Sequence, residues 1–104
     1  MIRKAFKMKV YKESHAEYEK RHNEIWDSLV QILKKHGSQN YSIFLDEETS
    51  DLFAYVELEN EDLWNKVAET EECKKWWAFM KDIMETNPDN SPKSVELKEV
   101  FYLK

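Results

Sequence analysis

The feature that most narrows the fold is a repeated change of hydrophobic period along the chain, from two to about 3.6 and back. Residues 3 to 11 alternate, with Phe6, Met8 and Val10 on one side and Arg3, Lys7 and Lys9 on the other, which predicts a strand. After Ser14 the period lengthens. Ile25, Leu29, Ile32 and Leu33 form one helical stripe, predicting a single long helix that ends at "KKHG" (34 to 37). Lys34, Lys35 and His36 suit the negative helix end, and Gly37, the chain's single glycine, suits the left-handed position just past it. "YSIFLD" (41 to 46) and "LFAYVEL" (52 to 58), joined by the polar "EETSD", predict a hairpin. Asn60 is placed to cap a short helix running through Ala68, and Thr70 opens another. "NPDNSP" holds both prolines and interrupts the helical register before "VELKEVFYL" (95 to 103), which reads as a last strand. The order β-α-β-β-α-β, with the second helix in two pieces, is that of an α+β ferredoxin-like sandwich, one domain over residues 1 to 104.

Alternation also assigns the faces of the sheet. Phe6, Met8, Tyr41, Ile43, Leu45, Ala54, Val56, Leu97 and Phe101 are expected beneath the helices. Phe44, Phe53, Tyr55, Val100 and Tyr102 fall on the opposite face. An aromatic patch there predicts a contact surface, a sheet-to-sheet homodimer, although aromatics favour strands in any case.

Composition removes several classes of function. Sixteen basic against twenty-one acidic residues leave a net charge of −5, with no basic stripe for nucleic acid. No apolar run is long enough for a membrane span, and "MIRKAFKMKV" lacks the pattern of a secretory leader. Cys73 is the single cysteine, which points to a reducing, cytoplasmic setting and to a small buried hydrophobe. There is no phosphate-binding glycine loop, nucleophile elbow or metal motif, so no metal or cofactor is expected.

The polar residues on apolar faces carry the chemistry. Carrying the first helix's stripe toward its amino end reaches His22 and then Tyr18, four residues apart and therefore neighbours. By spacing alone such a histidine reads first as a satisfied core residue and second as a proton carrier near neutral pH. Tyr41 opens the second strand on the same side. In "CKKWWAFM", Cys73, Trp77, Met80 and Met84 read as the core stripe, and Trp76 joins Phe79 and Ile83 on the flank. The tryptophan pair either widens the core or stacks on a sugar's C–H face. Trp26 and Trp64 have no polar companions and read as core or interface. Proton-transfer groups beside an apolar wall suit proton shuffling on a small neutral molecule.

"YEKRHNEIW", "GSQNYSIFLD", "CKKWWAFM" and "NPDNSP" followed by "ELKEVFYL" resemble the L-rhamnose mutarotases, in order and over essentially the whole chain. The resemblance implies a dimeric α+β barrel that interconverts the α and β anomers of L-rhamnose without cofactor or metal, in cytoplasmic rhamnose metabolism. It implies that His22 is the proton donor and that Tyr18, Tyr41, Trp76 and Trp77 bind the sugar. The proton acceptor stays open between a tyrosine-held water and neutral His22. Two alternatives share the fold: a cofactor-free monooxygenase-like enzyme acting on an aromatic substrate, and a non-catalytic sugar-binding dimer.

Overall fold

The computed structural model describes residues 1 to 104. Four antiparallel strands, β1 (Ile2–Lys9), β2 (Ser38–Asp46), β3 (Asp51–Leu58) and β4 (Val95–Leu97), form one sheet in the order β2-β3-β1-β4. The helices α1 (His15–Asn23), α2 (Asp27–Lys35), α3 (Glu61–Val67) and α4 (Glu71–Met80) carry the chain between them. This is the ferredoxin-like arrangement that the alternating periods predict. No helix is long and apolar enough to cross a membrane.

β3 pairs along its whole length with both β1 and β2. Its inner row, Leu52, Ala54, Val56 and Leu58, is sealed, as is Met8 on β1. Each large apolar side chain buried in this way contributes about 1.5–3 kcal/mol relative to exposure. Ile43, Leu45 and Phe6 pack partly buried against the same cluster, together with Leu29 of α2 and Val67 of α3.

The predicted caps form. The Asn60 side chain accepts from Leu63 N at 3.0 Å and the Thr70 hydroxyl accepts from Cys73 N at 3.3 Å, each satisfying a free amide at a helix start. Gly37 follows α2 at φ +82°, and its N–H donates to the Lys34 carbonyl at 3.0 Å.

Four expectations need correction. The first helix is not continuous: a 3-10 turn (Lys12–Ser14) leads into α1, and Glu24 to Trp26 separate α1 from α2. Trp26 is extended (φ −63°, ψ 131°) and its carbonyl accepts from Leu29 and Val30. Asn23, Ile25 and Trp26 are weak helix formers, and the break lets the Trp26 ring stack on Phe79 and meet Trp76 edge-on. The last strand stops at Leu97. Residues 98 to 104 form no ladder, leaving Phe101 77% exposed rather than beneath the helices, and Val100 and Tyr102 on no strand rather than on the opposite face. Leu97 itself pairs with Ala5 and so lies on the outer face, where Val95 opposes Lys7. Finally, the phase of α4 is the reverse of that expected. Trp76 is buried with Cys73 and Met80, whereas Trp77 is half-buried. Both tryptophans satisfy helical spacing from Cys73. The helix ends at Met80, so Met84, bridged to Val10, does not extend the stripe.

β2 carries an irregularity with consequences for the site. Gln39 pairs with Glu57 and Ser42 with Tyr55, so Asn40 and Tyr41 together oppose Val56. Asn40 takes the left-handed conformation (φ +49°) that a bulge needs and asparagine tolerates, and its amide donates to Glu57 at 2.9 Å. Tyr41 stays on the helix side with Ile43 and Leu45.

Gly37→Ala tests the helix-to-strand connection. A Cβ there would lie 3.1 Å from Glu59 Cβ at a φ that L-residues avoid. Urea denaturation should show a loss of about 1–2 kcal/mol; unchanged stability would mean that the connection does not need a left-handed residue.

Candidate active site between the helices and the sheet

Between helix layer and sheet runs an open cleft of about 1860 Å³, bounded by β1, β2 and all four helices. Tyr18, His22, Tyr41, Trp76 and Trp77 all line it. Four of them converge. The Tyr18 and His22 rings stack with centroids 4.3 Å apart, and Trp76 meets His22 edge-on at 5.3 Å. Tyr41 enters from β2, near enough that its charged form would oppose ionisation of Tyr18. Trp77 lines the same cleft, but its ring packs on none of the other four.

Each group is held from outside the cleft. α1 has only nine residues, too few to be stable alone, and it is pinned by Arg21. That guanidinium donates to Glu17 Oε2 (2.8 Å), to both carboxylate oxygens of Asp82 (2.9 and 3.2 Å) and to the Phe79 carbonyl (2.6 Å). It also lies 4.2 Å over the Phe79 ring. The result ties α1 to the end of α4 and fixes the angle at which Tyr18 and His22 face Trp76. Trp26 backs Trp76 edge-on at 5.0 Å, and Trp64 and Phe6 hold the Tyr41 ring at 5.9 and 6.4 Å. Trp26 and Trp64 pack against the core, as one of the two readings of the sequence expects, and they also brace the rings of this cluster. Neither has a polar neighbour at helical spacing, and no signal in the sequence marks them.

Desolvation dominates the electrostatics. Burial lowers the His22 pKa, and its one polar contact, with the Tyr18 carbonyl, opposes this only in part, so the imidazole is neutral near pH 7. Burial raises the phenol pKa of Tyr18; that of Tyr41 shifts the same way by desolvation, because Phe6 and Trp64 crowd its ring, although the residue is 37% exposed. The Tyr18 hydroxyl, the Trp76 indole N–H and His22 Nε2 make no hydrogen bond within the chain. None is sealed off, because the Ser38 hydroxyl is the one fully enclosed side-chain polar atom without a partner. Two donors and a ring nitrogen therefore open onto the cleft from side chains that are otherwise largely buried, which suits a ligand bearing several hydroxyls.

The other histidines serve the frame. His15 Nε2 lies 2.7 Å from the Ser50 hydroxyl, and His36 Nδ1 lies 2.8 Å from the Ile32 carbonyl. No three His, Cys, Asp or Glu side chains gather closely enough to hold a metal ion. Burial pushes the Cys73 thiol up to about 11. Because the thiolate is the reactive form, Cys73 in the native protein should resist an aromatic disulfide reagent at neutral pH and react fully once denatured. Rapid native labelling would show that the thiol is neither buried nor protonated.

Comparison with known proteins identifies the family. A sequence profile described as L-rhamnose mutarotase matches residues 3–103. The L-rhamnose mutarotase of Clostridium beijerinckii is 65% identical over 104 residues, covering 100% of both chains. The crystal structure of an L-rhamnose mutarotase from Formosa agariphila superposes with a TM-score of 0.93 at 48% identity, again over 100% of each chain. A putative antibiotic biosynthesis monooxygenase from Nitrosomonas europaea shares the fold alone, at TM-score 0.65 and 13% identity over 97% of this chain and 100% of its own. With matches of this identity and extent joined to the four-residue cluster on the cleft wall, the chain belongs to the L-rhamnose mutarotase family.

Proposed function

We propose that this chain interconverts the α and β anomers of L-rhamnose by opening and reclosing the pyranose ring. His22 is the catalytic proton carrier, and Tyr18, Tyr41, Trp76 and Trp77 hold the sugar. The observation that carries this reading is the convergence of the Tyr18, His22 and Trp76 rings in one desolvated corner of the cleft, with the Tyr18 hydroxyl, His22 Nε2 and the Trp76 N–H all free of partners in the chain. Ring opening moves protons between oxygen atoms and changes no oxidation state, which matches a set made of an imidazole, phenols and indoles. A 6-deoxy sugar presents a methyl group and C–H faces as well as hydroxyls, and aromatic walls with polar tips accommodate both. The names of the full-length relatives support the same substrate.

The working form is a cytoplasmic homodimer joined through the outer sheet faces. In support, Phe44 (68% exposed) lies directly opposite Phe53, with Tyr55, Val95 and Leu97 on the same face. Burying such a row is worth more than leaving it wet.

Two measurements test this. His22→Ala should abolish saturation transfer between the anomeric NMR signals of L-rhamnose while the far-UV circular dichroism stays unchanged; exchange at the wild-type rate would remove His22 from the mechanism. Phe44→Glu should convert the dimer to a monomer in light scattering, and a dimer that persists at micromolar concentration would place the interface elsewhere.

A further inference from the structure

We infer that His22 begins the reaction as the base and that Tyr18 is the acid, with Nε2 taking the anomeric proton as the Tyr18 hydroxyl protonates the ring oxygen. This rests on the mutarotase reading and assigns the two proton positions within it.

The tautomer is decided by geometry. His22 Nδ1 lies 3.0 Å from the main-chain carbonyl oxygen of Tyr18. A carbonyl oxygen only accepts, so Nδ1 carries a hydrogen in the neutral and the charged ring alike. In the neutral ring the lone pair is therefore on Nε2, the nitrogen with no partner in the chain. That Nδ1 hydrogen bond favours the imidazolium, but burial outweighs it, and no carboxylate bonds to the ring. The rings that face His22 are Tyr18 on its own helix and Trp76 on α4, both uncharged at neutral pH. Glu19, one turn before His22 on α1, and Lys4, His15, Lys34, Glu47 and Glu96 also line the cleft; none of them pairs with His22, and the Arg21 guanidinium is engaged by Glu17 and Asp82.

Tyr18 rather than Tyr41 fits the acid because of the stack. Its ring lies 28° from the imidazole plane with centroids 4.3 Å apart, which makes it the phenol in direct ring contact with His22. The anomeric hydroxyl and the ring oxygen are bonded to the same carbon, and a donor and an acceptor set side by side can reach both at once. Tyr41 is held instead by Phe6 and Trp64, with no ring contact to His22. A phenol whose acidity burial has weakened toward that of an alcohol keeps its proton until an alkoxide forms beside it.

The step balances without an oxidant or a cofactor. The anomeric O–H bond breaks, its proton goes to Nε2, and the freed electron pair forms the aldehyde C=O. The bond from the anomeric carbon to the ring oxygen breaks, and that oxygen takes the proton of Tyr18. The aldehyde turns about its bond to the next carbon. On closure the attacking hydroxyl returns a proton to the phenolate, and the imidazolium returns the other to the new anomeric oxygen. His22 is thus the donor in the second half of each turnover.

The test is the pH dependence of kcat/KM for anomer exchange, followed by saturation-transfer NMR across about pH 5 to 9. The expected profile rises with pH through the His22 titration and then stays level. A rate that falls as pH rises through that titration makes the imidazolium the starting form and overturns the inference. Tyr18→Phe should lower kcat by about 100-fold or more, a larger effect than on KM, whereas Tyr41→Phe should act mainly on KM. A Tyr18→Phe enzyme with wild-type kcat, or ¹⁵N shifts that put the neutral-ring hydrogen on Nε2, would equally overturn it. Absence of exchange at every pH with folded wild type is a separate result that defeats the mutarotase reading itself.

Discussion

One strand carries the fold. β3 is hydrogen-bonded on both sides and presents a sealed row of Leu52, Ala54, Val56 and Leu58 to the helices. No other strand offers the helix layer so continuous an apolar floor. Because side chains alternate strictly along a strand, this row also decides which residues of β1 and β2 share the floor and which face outward. Phe6 and Met8 pair with Ala54 and Leu52, and Ile43 and Leu45 pair with the same two residues from the other side. The position of Tyr41, and with it one wall of the site, follows from that pairing.

Burial that stabilises the fold also sets the chemistry. The desolvation that closes the core keeps an imidazole neutral, two phenols protonated and a thiol inert, all without a single ion pair in the reacting corner. Charges are kept at the perimeter, where Arg21 bridges Glu17 and Asp82 and so orients α1. The division is economical: apolar surroundings tune protonation, and peripheral ion pairs tune geometry.

What could be read from the sequence follows the range of the forces involved. Gly37, Asn60 and Thr70 act within a few residues, and each forms the predicted cap. The hairpin and the element order rest on period alone and were equally legible, as was the meeting of Tyr18 with His22. The break at Glu24 to Trp26 was not, because the spacing from His22 through Ile25 to Leu29 runs on as though the helix did. The phase of Trp76 and Trp77 depends on Trp26 and His22 closing over one ring from another helix, which spacing within α4 does not contain. The face of Leu97 depends on its register against Ala5, and β4 ends there although Ile2 to Lys4 of β1 lie unpaired on that edge, which no pattern in residues 95 to 103 foretells. Trp64 has a role only because β2 brings Tyr41 to it.

The bulge at Asn40 bears on how this segment can change in length. Two residues there oppose one, so the stretch between Gly37 and Tyr41 holds one residue more than an unbroken ladder requires. Loss of any one residue from positions 38 to 40 would let the ladder close while Tyr41 kept its face. Gain of one residue would leave a second unpaired position beside the first, with no left-handed asparagine to absorb it. For the ladder, shortening by one is therefore easier to accommodate than lengthening by one.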